Sequence, residues 1–270
     1  MSSTLIFLDR FMSQRWEDLV LFHYEADPKV VQASLPGDLS ADLCRGKAWL
    51  SVVAFRLTGL RIRPLTFLRW SDFLEVNLRT YVRHKDGRRG VWFYSLDSTD
   101  PFGVMGARML YGLRYNFARI ERKGSSTERN FIYTGNRGKI ANSRIEANWQ
   151  NAESVQSAPG SLDHFLLERY RFWARRTIAR SSSSALVSHV PYQAVRVQNI
   201  TYEGGLFASQ GFAEPIQGPD LGHYCPGFTV EATAPEWAFS ISGQANQRYV
   251  SPSTLCVPKK DASESSPIEC

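Results

Sequence analysis

The segment Phe73–Arg83 (FLEVNLRTYVR) alternates clearly between apolar and polar side chains. In an extended chain successive side chains point to opposite faces. One face therefore carries Glu75, Asn77, Arg79 and Tyr81, and the other carries Leu74, Val76, Leu78 and Thr80. An acid, an amide, a guanidinium and a phenol differ from the Lys, Glu and Thr that usually dress a solvated strand. The flanking segments Ala48–Leu57 and Val91–Leu96 are apolar on both faces, as expected near the middle of a closed sheet. Two readings follow: a half-solvated antiparallel strand, or a strand whose polar face lines an internal cavity. In the second, Arg79 holds a ligand carboxylate through two parallel hydrogen bonds, and Asn77 and Tyr81 orient the ligand. Glu75 becomes a proton donor or acceptor once burial raises its pKa. A structural Glu75–Arg79 ion pair is the plainer alternative.

A second group lies in Gly103–Arg119 (GVMGARMLYGLRYNFAR), which reads as a short helix passing through Tyr111-Gly112 into a strand. The plain reading is a helix, a glycine C-cap and a strand. The functional reading sets Arg108, Tyr111 and Tyr115 at a pocket mouth, with Arg108 as a second anion contact and the tyrosines polarising a carbonyl.

Other chemistries find less support. His23 and Glu25 share a strand face and His164 and Glu168 are four apart on a helix, but no third ligand stands at a telling distance, so no metal is expected. There is no G-x-S-x-G, GxGxxG or P-loop, and no cofactor is expected. The four cysteines form no CxxC pair and read as reduced thiols. Lys47, at the entry of an apolar strand, reads either as an imine-forming lysine or, more plainly, as the solvent-directed lysine usual at such a place. The stretch Arg56–Arg69 interleaves arginines with apolar residues but matches no nucleic-acid-binding motif. The net charge of +6 is carried mostly by arginine, which suits carboxylates as well as phosphates.

These side chains need a scaffold of strands. Further strand patterns run over Phe131–Thr134, Ser143–Trp149, Tyr170–Arg175, Gln193–Asn199 and Thr229–Ala232. Helical signals are few. Pro28–Ser34 follows Asp27, an N-cap with proline at the first helical position. Pro101–Tyr111 has helical spacing, and Ser161–Arg169 opens on a serine cap. Lys123–Arg129, Asn151–Gly160 and the serine run Arg180–Ser184 read as loops. Many strands with few helices indicate a β-rich α+β domain built on a barrel or sandwich. Residues 1–257 are expected to form one domain, and the polar residues 258–270 a disordered tail. No run reaches the roughly 20 apolar residues of a membrane span, and residues 1–11 lack the pattern of a signal peptide. The expected location is therefore the cytoplasm.

Several motifs, in order, resemble the YqjF-like family, a group of uncharacterised proteins in the acetoacetate decarboxylase-like superfamily. They are Gln14-Arg15-Trp16 with His23; Leu35-Pro36 with Gly46-x-Ala48-Trp49 and Phe55-Arg56; Glu75 to Val82; and Gly90-Val91-Trp92-Phe93-x-Ser95-Leu96-Asp97. Ala107-Arg108, Tyr111-Gly112-Leu113-x-Tyr115, Leu162-x-x-Phe165-Leu166-x-Glu168-Arg169-Tyr170 and His189-x-Pro191 complete the set. The resemblance spans roughly residues 14–230. It implies a cone-shaped antiparallel barrel with a few flanking helices and an internal cavity. Arg108 to Ala118 also resembles the R-E-x-Y/W-G-F-P-K-K-x-A segment of acetoacetate decarboxylases, whose first lysine forms a Schiff base. That lysine pair falls on Tyr115 and Asn116, and the segment's acid on Met109, while Arg108, Tyr111 and Gly112 match. The resemblance implies no known reaction; together with the polar strand face it sets the expectation of a polar pocket for a small organic or keto acid without imine chemistry. A lyase or isomerase working by proton transfer is the first expectation, with Glu75, Tyr111 and Tyr115 catalytic and Arg79, Arg108, Asn77 and Tyr81 binding substrate. A non-catalytic binder is the alternative. Neither nucleic acid nor membrane is an expected partner, and homo-oligomerisation is left open.

Overall fold

A computed structural model describes residues 10–65, 67, 70–101, 111–175 and 182–236. Fourteen strands and two α-helices are assigned among them. In chain order the strands are β1 (Met12–Ala26), β2 (Leu39–Ala41), β3 (Ala48–Ile62), β4 (Phe73–His84), β5 (Arg89–Ser98), β6 (Tyr115–Phe117) and β7 (Arg119–Ser125). Then come β8 (Asn130–Asn136), β9 (Asn142–Asn148), β10 (Arg171–Arg175), β11 (Ser182–Ser188), β12 (Val195–Arg196), β13 (Asn199–Gly204) and β14 (Leu221–Ala232). The helices are α1 (Pro28–Ser34) and α2 (Leu162–Leu167).

Seven strands close into a hydrogen-bonded ring in the order β4-β3-β1-β14-β11-β10-β5, with β5 returning to β4. Every pairing in the ring is antiparallel except β10 with β5. Closure removes the exposed edges that an open sheet would present. A second sheet, β13-β9-β8-β7, lies against the outside of the ring.

This arrangement explains why the central strands are apolar on both faces. On β1, Val20, Phe22 and Tyr24 face the core shared with the second sheet, meeting Phe131, Tyr133, Ile145 and Trp149. Leu19 and Leu21 face inward, packing with Val53, Phe55, Leu57 and Phe73. The ring is thus a partition between two apolar regions, and its alternation is between two buried faces rather than between core and water.

Local chemistry sets several boundaries. The Asp27 side chain accepts the Lys29 N–H at 2.8 Å and starts α1. Ser161 Oγ accepts the His164 N–H at 3.1 Å and starts α2. That helix ends at Leu167 rather than Arg169, because Glu168 leaves helical backbone geometry. Of the serine run Arg180–Ser184 expected as a loop, the described residues Ser182–Ser184 instead open β11 (Ser182–Ser188), paired with β10 and β14, and the ladder supplies what the serines lack in strand preference. The expected strand Gln193–Asn199 shrinks to Val195–Arg196, while β7 and β13 carry no expected strand pattern. Both are edges of the second sheet, where exposed polar residues blur the alternation. Of the expected helix Pro101–Tyr111, only its two end residues lie among the described residues. Arg108 and residues 258–270 lie outside them.

Candidate functional site: a cavity inside the ring

The ring encloses a cavity of about 130 Å3. β4 supplies its polar wall. Register places Glu75 beside Phe55, Asn77 beside Val53 and Arg79 beside Ser51 on β3. On the other side Asn77 pairs with Leu96 and Arg79 with Phe93, a register shift falling between Leu78 and Arg79. That irregularity lets β5 turn Val91 and Phe93 inward before it and Leu96 inward after it. Most of the remaining wall is apolar, including Trp16, Leu57, Leu60, Trp70 and Phe172. Polar side chains enter the wall from several strands, Glu75, Asn77 and Arg79 from β4, Gln14 from β1, Tyr115 from β6 and Arg171 from β10, but most of the lining is apolar.

Glu75 is only 3% exposed. The Tyr115 hydroxyl donates to its Oε2 at 2.8 Å, and Asn77 Nδ2 donates to its Oε1 at 3.0 Å. Burial raises its pKa from the ordinary 4.5 to about 7; these two hydrogen bonds oppose the rise, the nearby Asp97 adds to it, and the Arg79 charge opposes it. Burial and the adjoining Glu75 push the Tyr115 hydroxyl well above its usual range, so it stays a donor.

Among the described residues, three arginines reach the cavity: Arg79, Arg169 and Arg171. Arg169 Nη1 donates to Asp42 Oδ2 at 2.8 Å, and its Nε donates to the Phe165 carbonyl at 2.8 Å. Arg171 bonds Glu236 and Ser184. Arg79 differs. It is 6% exposed, its Nε and Nη2 find no hydrogen-bond partner, and no carboxylate among the described residues forms an ion pair with it. The Glu75–Arg79 ion pair anticipated as the plainer alternative does not form, although the two charges attract. Asn77 Oδ1 is buried without a partner as well. Unpaired buried polar groups are uncommon in folded proteins and call for an explanation.

The other sequence-derived candidates divide. Tyr111 lines the cavity, but its hydroxyl donates to the Thr233 carbonyl at 3.0 Å. Tyr81 is fully buried and does not line the cavity; its hydroxyl donates to the Leu166 carbonyl at 2.9 Å and lies 2.8 Å from Ser51 Oγ. It ties the end of α2 to β4. Behind it runs a buried chain of hydrogen bonds: Ser51 Oγ to His23 Nδ1 at 2.7 Å, His23 Nε2 to His223 Nδ1 at 3.1 Å, and His223 Nε2 to Asp163 Oδ1 at 2.9 Å. Burial depresses the pKa of both histidines. Lys47 pairs with Glu25 and is not in the wall of the cavity. Among the described residues no three His, Cys, Asp or Glu side chains group as a metal site. Arg169, Arg171, Tyr192 and Trp70 enter the wall without having been candidates. Only Arg169 carried a signal, through its place in a family motif.

A family model described as "Uncharacterized conserved protein", DUF2071, matches residues 13–229. The chain belongs to this family. A relative, the uncharacterized protein YqjF of Bacillus subtilis (strain 168), is 34% identical over 166 residues, 60% of this chain and 66% of that protein, just under two thirds of its length. Solved structures share the fold at low identity. The acetoacetate decarboxylase of Legionella pneumophila is 13% identical with a TM-score of 0.58, covering 84% of this chain and 87% of that one. An acetoacetate decarboxylase-like enzyme of Sphingomonas wittichii RW1 is 16% identical with a TM-score of 0.55, covering 84% and 93%. The enduracididine biosynthesis enzyme MppR, solved in complex with pyruvate, is 13% identical with a TM-score of 0.54, covering 84% and 88%. The family member described here therefore has an acetoacetate decarboxylase-like fold, and no helix among its described residues is long and apolar enough to cross a membrane.

Proposed function

We propose that the cavity binds a small organic acid, with its carboxylate on Arg79 and its reactive carbon near Glu75. The observation that carries this reading is the state of the cavity arginines among the described residues: Arg169 and Arg171 have carboxylate partners there and Arg79 has none. A buried guanidinium without a counter-ion is costly. A ligand carboxylate would relieve that cost and satisfy two donors that the protein leaves open. That MppR has been solved with pyruvate is in keeping with an organic acid in a cavity of this fold.

Glu75 supplies the chemistry. With a pKa of about 7 it exchanges a proton at neutral pH. Tyr115 and Asn77 hold its two oxygens in place. A keto acid anchored on Arg79 would give up a proton from the carbon next to its carbonyl to Glu75 and take it back at another position, an isomerase-type step; where the neighbouring carbon carries a hydroxyl, Glu75 returns the proton to that oxygen instead, the C–O bond breaks and water leaves, a lyase-type step. Among the described residues no lysine lines the cavity, and imine formation is not part of this reading. A second reading, a binder without turnover, is favoured by one observation: the Tyr111 hydroxyl, a candidate for polarising a carbonyl, is already committed to Thr233.

A thermal-shift screen of small keto, hydroxy and unsaturated carboxylic acids on the wild type and on Arg79→Met tests the site. A ligand at 100 times its Kd adds about 2.7 kcal/mol, a shift of several degrees in a chain of this size. Stabilisation of the wild type alone is the expected result. If every acid that stabilises the wild type stabilises the variant equally, the carboxylate site is lost. Solvent deuterium entering the carbon next to the carbonyl, and failing to enter with Glu75→Gln, separates the enzyme from the binder.

A further inference from the structure

Resting on the carboxylate reading, the question of what else the ligand carries is answered by the rest of the wall. Arg79 and Glu75 sit on one side of the cavity. Around them the wall is mostly apolar, with Phe55, Leu57, Leu60, Phe73, Trp70 and Phe172 facing the space. A site made for pyruvate-sized acids would need donors to the carbonyl and a wall close around two or three carbons. Here the wall offers large apolar faces instead. About 130 Å3 is close to the roughly 150 Å3 of an engineered apolar cavity that takes up benzene. Of the other polar groups facing the space, Arg169 and Arg171 have carboxylate partners and the Tyr111 hydroxyl bonds Thr233, which leaves Gln14, Asn77 and Tyr192 as polar neighbours of a ligand otherwise met by apolar faces.

We infer that the ligand is an amphipathic monocarboxylate: an acid group held by Arg79, joined to an apolar body of ring size or of about six carbons that fills the space walled by Phe55, Leu57, Leu60 and Trp70. Apolar burial supplies the affinity and Arg79 supplies the orientation. Burying one more methylene adds about 0.8 kcal/mol, or close to fourfold in affinity. The site therefore discriminates between acids by their tails, over a range of a hundredfold or more between two and six carbons. Selectivity ends where the tail outgrows the cavity.

The test is a titration-calorimetry series of acetate, butanoate, hexanoate and octanoate, with pyruvate and phenylpyruvate as a keto pair and 1-hexanol as a neutral control. The wild type is expected to bind hexanoate on the order of a hundredfold more tightly than acetate, and phenylpyruvate more tightly than pyruvate. It should bind 1-hexanol much more weakly than hexanoate. Arg79→Met should bring hexanoate down to the level of the alcohol. If acetate and pyruvate bind as tightly as their long-tailed partners while Arg79 still matters, the tail inference fails and the carboxylate site stands. If 1-hexanol and hexanoate bind the wild type alike, the carboxylate site itself fails, whether or not the variant folds. If nothing in the series binds, both fail.

Discussion

At the residue scale, Glu75 links the site to stability. Its folded pKa of about 7 lies above the ordinary 4.5. A group raised in this way contributes stability that is full below about pH 4.5 and is lost as the pH rises through about 7. The loss is about 3 kcal/mol once the buried carboxylate is ionised. Glu75→Gln removes this dependence. Relative to wild type, the variant is expected to gain about 3 kcal/mol between pH 4.5 and pH 8.5, read from urea unfolding of both proteins at the two values. An unchanged difference would mean that Glu75 is not held neutral by burial. The comparison must be between proteins, because His23 and His223 act in the opposite sense. Their depressed values leave stability full above the unfolded value of about 6.5 and drain it as the pH falls below. Both proteins share that contribution. At this scale the sequence was partly informative. The alternation of Phe73–Arg83 brought Glu75, Asn77 and Arg79 to one face, and they do line one cavity. That Arg79 lacks a partner, and that Tyr81 and Tyr111 spend their hydroxyls on carbonyls, was not legible, because hydrogen-bond partners distant in sequence decide it.

At the element scale, β4 works because neighbours hold both of its faces. Its outward side chains Val76, Leu78 and Val82 join the core beneath the second sheet. Its inward side is fixed through Tyr81, whose hydroxyl satisfies the Leu166 carbonyl at the end of α2. The next residue, Leu167, lines the cavity. Tyr81→Phe therefore leaves a buried carbonyl without its donor, at an expected cost of about 1–3 kcal/mol in thermal or chemical unfolding. Ligand affinity should fall with it if α2 positions the wall. A variant as stable as wild type would show that the hydrogen bond does not tie the two elements. Strands such as β3 and β5 were legible because burial on both faces makes them apolar throughout. The serine-rich β11 was not, since its extended form rests on the ladders to β10 and β14 rather than on its own composition. Edge strands β7 and β13 failed for a related reason: solvent on one side admits any polar residue.

At the scale of the whole molecule, the ring separates a filled core from a hollow one. Between the ring and the second sheet lie Phe22, Phe131, Tyr133 and Trp149. Inside the ring the same kind of apolar wall surrounds open space. The fold family was legible from ordered motifs, and the family match over residues 13–229 shows it. The division of labour between the two faces was not, because the alternation of β1, β3 and β4 is the same whether the inner face meets side chains or a void. What distinguishes them is the curvature that closes the sheet, set by pairings such as β4 with β5 that join the path back on itself.

That closure is uneven. Within the ring, β1 and β14 share eleven paired positions from Met12–Ala232 to His23–Leu221, whereas β10 meets β5 at Phe172–Val91 and Trp173–Trp92 and β11 meets β14 at Val187–Ala232 and Ser188–Glu231. The β10–β11 pair is therefore a stave held by two short seams, and it carries Arg171, Phe172 and Val187 of the cavity wall. Amide hydrogens exchange through the cheapest opening available to them. Native-state hydrogen exchange should find the seam amides of β10 and β11 opening well before those of β1 and β14, and a bound acid should slow them selectively. Uniform protection around the ring would mean that the stave does not move on its own. If it does, the molecule has a service hatch: a ligand can enter the ring by parting two short seams, leaving the long ladders that hold the fold untouched.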